Sequence, residues 1–157
     1  MLLKLALFFH VISAIFWIGG MLFLTLVVAP FLKSIPDPME RSRIYQFVGK
    51  KYRLFGWAAI IVLLVTGPVM LFKLYGLAPA DYFSTELYSN GFGRALAFKL
   101  AFVFIIVVSS FTHDFFFGPR ARNSPRYSMI AKVFGRGNLL IALVIVVLAV
   151  ILRAGGF

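Results

Sequence analysis

Four stretches of this chain are long and apolar enough that only a bilayer suits them. A hydrocarbon core takes about 20 consecutive apolar residues in a helix. Leu5–Phe31, Phe55–Leu74, Ala95–Phe117 and a last stretch from about residue 131 to Leu152 meet that length, and no other stretch does. Inside lipid every backbone N–H and C=O must be paired within its own segment, which a helix achieves. Short connections make successive helices antiparallel neighbours. The expected fold is therefore an all-α integral membrane protein: a single domain over residues 1–157, a four-helix transmembrane bundle built of two helical hairpins. A hydrophobic fraction of 62% with only 13% charged residues agrees with this. The first span begins almost at Met1, is longer than the apolar core of a signal peptide and lacks a small-residue cleavage site, so it reads as a retained helix.

The net charge of +11 must be placed against the membrane before it is given any other meaning. The first loop carries Lys33, Arg41, Arg43, Lys50, Lys51 and Arg53, and the third Arg120, Arg122, Arg126, Lys132 and Arg136. The other side has only Lys4, Lys73, Arg94 and Arg153. Eleven against four puts the first and third loops in the cytoplasm and both termini outside, in the inner (cytoplasmic) membrane of a cell. The basic excess is thus mostly topology, with contact to anionic lipid heads as a by-product. Nucleic acid is not an expected partner, since no recognition module is present. With no cysteine there are no disulfides and no thiolate metal ligands.

Both basic loops hold a helix-start signal. Asp37-Pro38 and Ser124-Pro125 place a capping side chain just before a proline at the first helical position. Each predicts a helix that lies along the interface before entering the membrane. The connection "GLAPADYFSTELYSNGFG" has room for a short helical turn. The order span, basic loop, Pro-started helix, span occurs twice. Pro30 and Pro119 close the odd-numbered spans, and His10 and Lys99 each precede one of them by twenty positions. Two related hairpins are the expectation.

Polar chemistry gathers at one depth. His10 lies about two turns from the outer end of the first span, and Lys99 one to two turns into the third, at the 1.5 Å rise of a helix. Thr66, Gly67, Pro68 and Met70 of the second span fall in the same layer. Polar groups inside a membrane are functional candidates by default. Structural readings compete: His10 bonded to a neighbouring helix, Lys99 snorkelling outward, Gly67-Pro68 as a kink, Met70 as packing. The functional reading takes neutral imidazole as a ligand for haem iron, or for copper. Trp17 shares the stripe of His10, Ala14 and Met21, and is placed to wall a flat macrocycle. Lys99 or Met70 then supplies a second iron ligand, or Lys99 binds a propionate. His113 is about 20 Å from Lys99 along the helix, so it cannot share the haem with His10. It is expected to pair with Asp114 or with the arginine-rich loop.

The stretches "HVISAIFWIGGMLFLTLVVAP", "YRLFGWAAIIVLLVTGPVML" and "ALAFKLAFVF" resemble the membrane domain of the copper-resistance protein D family. They also resemble the related haem-b-containing bacterial membrane protoporphyrinogen oxidases. The resemblance implies a four-helix domain with His10 and Lys99 at the positions of functional residues, the histidine linked to haem. The leading expectation is a haem-b protein with an electron-transfer role, acting as a homo-oligomer or beside a cytochrome or oxidoreductase. The alternatives are copper transport through His10, Met70 and Met21, porphyrinogen oxidation, and a cofactor-free assembly subunit.

Overall fold

A computed structural model describes residues 1–121 and 124–157; Arg122, one of the basic residues of the third loop, lies outside the described residues. Among the described residues all regular structure is helical, and four helices are long and apolar enough to cross a membrane: α1 (Leu2–Ser34), α2 (Pro38–Tyr75), α3 (Gly91–Arg120) and α4 (Pro125–Arg153). The expected interfacial helices prove to be the first turns of α2 and α4 themselves. α2 has 38 residues, about 57 Å at 1.5 Å each, against a hydrocarbon core of about 30 Å. It leaves the membrane without a break, because no proline or capping residue interrupts it between Pro38 and the span.

Both helices start where they were read, with proline at the first helical position, but only Asp37 caps through its side chain; that of Ser124 makes no capping hydrogen bond. Asp37 accepts hydrogen bonds from the N–H groups of Met39 (2.9 Å) and Glu40 (3.3 Å), with Pro38 at the first helical position. α2 ends on Gly76, whose φ of 70° is the left-handed conformation that favours glycine. The connection to α3 holds two short 3₁₀ turns, Pro79–Phe83 and Leu87–Ser89.

Pro30 is followed by one more turn of α1, to Ser34, whereas Pro119 lies in the last turn of α3, one residue before its end. A proline lacks an N–H and its ring crowds the carbonyl one turn back. Each helix absorbs this with a single wide turn, Leu24–Val28 in α1 and His113–Phe117 in α3. In each, the residue just before the proline donates to the carbonyl five positions back, Ala29 to Leu24 and Gly118 to His113. The duplication hinted at by the sequence is therefore built into the backbone. One step of 89 residues separates the helix starts Leu2 and Gly91, His10 and Lys99, the wide turns at Leu24 and His113, and Pro30 and Pro119.

α1 packs along α2 and α3 along α4. The hairpins meet in a central core of Trp17, Ala59, Ile60, Ile106 and Ala142, drawn from all four helices. A second cluster, Ala95, Leu96 and Leu152 with Leu71 and Phe92 against it, closes the end of the bundle that carries the termini. Most large apolar side chains face outward, Phe104 and Leu26 among them, as a lipid-facing surface requires.

Candidate functional site

His10 lies on the face of α1 that also carries the buried Ala6, Ser13 and Trp17, spaced as one helical stripe. Its ring is half-buried, and Nδ1 is 2.8 Å from Oγ1 of Thr66 on α2. Thr66 has one hydroxyl proton and directs it to the carbonyl of Val62, 2.6 Å away in its own helix. With that proton committed, the hydroxyl receives from His10, so the imidazole proton sits on Nδ1. Nε2 is left with its lone pair, and no partner for it is found among the described residues. The ring lies along α2 beside Gly67, where a Cβ would make an ordinary contact of 3.8 Å with His10 Cε1.

Lys99 lies on the inward stripe of α3, with Ala95, Leu96, Ile106 and Ser110 all buried beside it. That face turns it toward the bundle rather than toward lipid. It is half-buried. Among the described residues it has no carboxylate partner. α1 and α3 run in the same direction, and the two residues each lie eight positions past the start of their helix, so they share one depth. Met70 follows Thr66 by one turn of α2 and is half-buried. Trp17 belongs to the central core about 10 Å deeper, its ring set against Gly56. Pro68 points away, into a lipid-facing hollow with Leu2, Phe72 and Tyr82. Neither that hollow nor the one along Lys4, Phe8 and Ile12 is lined by His10 or Lys99.

The loop-side end has a second polar group. Asp114, in the wide turn of α3, takes a hydrogen bond from Trp57 Nε1 at 2.9 Å and holds His113 Nδ1 at 2.7 Å. Arg53 donates to the Asp114 carbonyl at 2.8 Å. The pairing of His113 with Asp114 agrees with expectation, while Trp57 and Arg53 were missed. The available signal was Asp114 itself, a carboxylate in an apolar run that needs donors from another helix. Also missed was the buried Asn138, which bonds Ser109 and Ser110 across α3 and α4. Among the described residues no three His, Cys, Asp or Glu side chains gather around a common point, so a bare cation would depend on His10 and methionine sulfur.

Residues 12–127 match the family described as "Domain of unknown function (DUF4149)". An uncharacterized protein of Aquifex aeolicus (strain VF5) is 39% identical over 153 residues, covering 97% of this chain and 96% of its own length. No solved structure matches. The expected resemblance to copper-resistance protein D and the protoporphyrinogen oxidases is corrected by these findings, which lead to DUF4149 and to no such link. The stretches that carried it are short and apolar, of a kind that spanning helices share for lack of polar detail. The roles it implied for His10 and Lys99 lapse with it, and only their geometry argues for them.

Proposed function

This chain belongs to the DUF4149 family, a domain of unknown function, and we propose that it is a membrane-embedded redox protein that binds haem b through His10 Nε2. The observation that carries the reading is the hydrogen bond of His10 Nδ1 to a threonine whose own proton is already spent. Histidines that ligate metals donate their other ring N–H to such a partner, which fixes tautomer and ring angle. Thr66 is that partner here. A free imidazole nitrogen in an apolar layer is costly unless something binds it. Lys99, eight positions into α3 as His10 is into α1, brings a cationic or ligating group to the same depth. When bound, haem supplies a one-electron iron couple. The chain's residues bind and orient it, and the surrounding apolar side chains exclude water.

In this reading the protein spans the inner membrane with its termini outside, an orientation that the excess of Lys and Arg in the first and third loops supports, and the site lies in the outer half. It works as a homo-oligomer or beside a larger oxidoreductase, since a lone haem in so small a chain needs a partner to pass electrons to. The competing structural reading, in which His10 only ties α1 to α2, uses the same hydrogen bond but leaves Nε2 and Lys99 without a role.

The test is a reduced-minus-oxidised spectrum with a haem assay on detergent-purified protein from a haem-replete host. The expected result is a Soret band and an α band that disappear in His10→Ala. Protein that is folded but free of haem would sink the reading, and metal analysis of the same sample reports whether copper is bound instead.

A further inference from the structure

We propose that the loop-side end of the seam between α2 and α3 holds the headgroup phosphate of an anionic phospholipid, with the guanidinium of Arg53 as its partner. This site is independent of haem.

The seam follows from how the hairpins pair. α1 packs along α2 and α3 along α4, while at the loop side α2 and α3 are joined through side chains: Trp57 and Arg53 both reach Asp114. Arg53 is held there by a defect in α3. The Asp114 carbonyl would ordinarily take the N–H of Gly118 or, across a wide turn, that of the next residue. Gly118 gives its N–H to His113, and Pro119 has none. Arg53 supplies the missing donor at 2.8 Å, and its guanidinium rests 5.8 Å from the centre of the Phe115 ring.

Most of the guanidinium is left unused. It carries five N–H donors, and among the described residues Arg53 makes only this one hydrogen bond. It has no carboxylate partner there either. Asp114 spends its oxygens on Trp57 and His113. Asp37 and Glu40 lie at the start of α2, about 20 Å away along the helix. Asp81 and Glu86 lie in the connection at the other end of α2.

The depth suits a phosphate. Arg53 comes two residues before the apolar run Phe55–Leu74, and Phe115 two residues before the end of Ala95–Phe117. Both lie where hydrocarbon meets headgroups. Lys50, exposed and one turn before Arg53, adds positive charge on the same face of α2. Phe111 and Phe115 are half-exposed and, with Trp57 against both, give the seam an aromatic wall for an acyl chain. The fork of an arginine matches phosphate oxygens, and basic pockets between spanning helices bind anionic lipid heads. The excess of Lys and Arg on this side favours an anionic over a zwitterionic head.

Trp57 is its own reporter. The chain has two tryptophans, and Trp17 is buried in the central core. The protein is reconstituted in vesicles of phosphatidylcholine and phosphatidylglycerol, with the chains of one lipid or the other brominated, and quenching of tryptophan fluorescence is read. Brominated phosphatidylglycerol should quench wild type more strongly than brominated phosphatidylcholine at equal mole fraction. Arg53→Gln should cut the preference for phosphatidylglycerol about fivefold, as for one basic residue at an anionic lipid surface. Arg53→Lys keeps a charge and a donor for the Asp114 carbonyl but not the fork, so it should fold as wild type and lose part of the preference. Lys33→Gln, at the exposed end of α1, should keep it. Gel filtration before reconstitution reports the fold of each variant. Equal quenching of wild type by the two lipids would overturn the proposal, as would an unchanged preference in every Arg53 variant that folds. Equal losses in Lys33→Gln and Arg53→Gln would overturn it too, since the lipid would then answer to the charge of the whole face.

Discussion

His10 and Thr66, 56 residues apart in the chain, are joined by a hydrogen bond of 2.8 Å between two helices. Removing it separates a structural from a functional role. Interhelical hydrogen bonds in membranes contribute on average about 0.6 kcal/mol. Loss of the partner that orients a metal-binding histidine lowers metal affinity by roughly 10–100-fold. Thr66→Val should therefore unfold within a few degrees of wild type and yet, if the proposed haem site exists, take up much less haem than wild type at limiting supply. Thr66→Ser should retain both. Titration of apoprotein with haem, followed at the Soret band, checks it; equal haem affinity in all three proteins would confine the bond to packing.

The close approach of α1 and α2 depends on a missing side chain. Gly20 faces the ring of Tyr52, whose hydroxyl donates to the carbonyl of Trp17. A Cβ at Gly20 would sit 2.3 Å from Tyr52 Cε2, whereas one at Gly19 would meet nothing within 4 Å. Overpacking of this kind costs about 1–3 kcal/mol. Gly20→Ala is expected to lower the unfolding temperature in detergent clearly, and Gly19→Ala to leave it within about 0.5 kcal/mol of wild type, as surface changes do. Comparable losses from both would mean that the glycine pair acts through helix flexibility and not through Tyr52.

These two glycines also mark where sequence reading stops. The spans were legible because about 20 apolar residues in a row have few other uses. The starts at Pro38 and Pro125 were legible because a proline suits the first helical position, and at Pro38 the side chain of Asp37 caps as well. His10 and Lys99 could be placed at one depth by counting along their helices. That Tyr52 fills the space at Gly20, or that Thr66 rather than a carbonyl receives from His10, depends on the register and rotation of two helices, which apolar spacing does not encode. Pro30 misled for a different reason. Proline argues for a helix end by its chemistry, and only the backbone reveals that one wide turn lets the helix continue.

Asp114 binds α2 to α3 through Trp57 Nε1 and holds the ring of His113. Asp114→Ala would leave both donors without an acceptor in a half-buried place, and an unsatisfied buried group costs about 1–3 kcal/mol. Asp114→Asn keeps one acceptor oxygen and should lose about half as much. Trp57→Phe removes one donor but retains the contact of the ring with Phe111 and Phe115, so it should be the mildest of the three. Thermal unfolding of the three variants gives the order directly, and its reversal would show that the aromatic packing, and not the carboxylate, holds this end together.

The absence of cysteine allows a direct test of orientation, because any single cysteine introduced is the only thiol in the chain. Glu86 lies in the connection between α2 and α3, on the side of the termini, and Ser34 at the far end of α1, and both are exposed. Neither side chain serves the polar layer, so Glu86→Cys and Ser34→Cys should fold as wild type. The charge distribution sets the expectation: eleven of the fifteen lysines and arginines outside the spans lie on the Ser34 side, and such a bias holds that side in the cytoplasm. A membrane-impermeant maleimide applied to intact spheroplasts should label Glu86→Cys and spare Ser34→Cys until the membrane is opened. Inverted vesicles should give the opposite pattern. Labelling of Ser34→Cys from outside would turn the bundle over and move the layer of His10 and Lys99 to the cytoplasmic half.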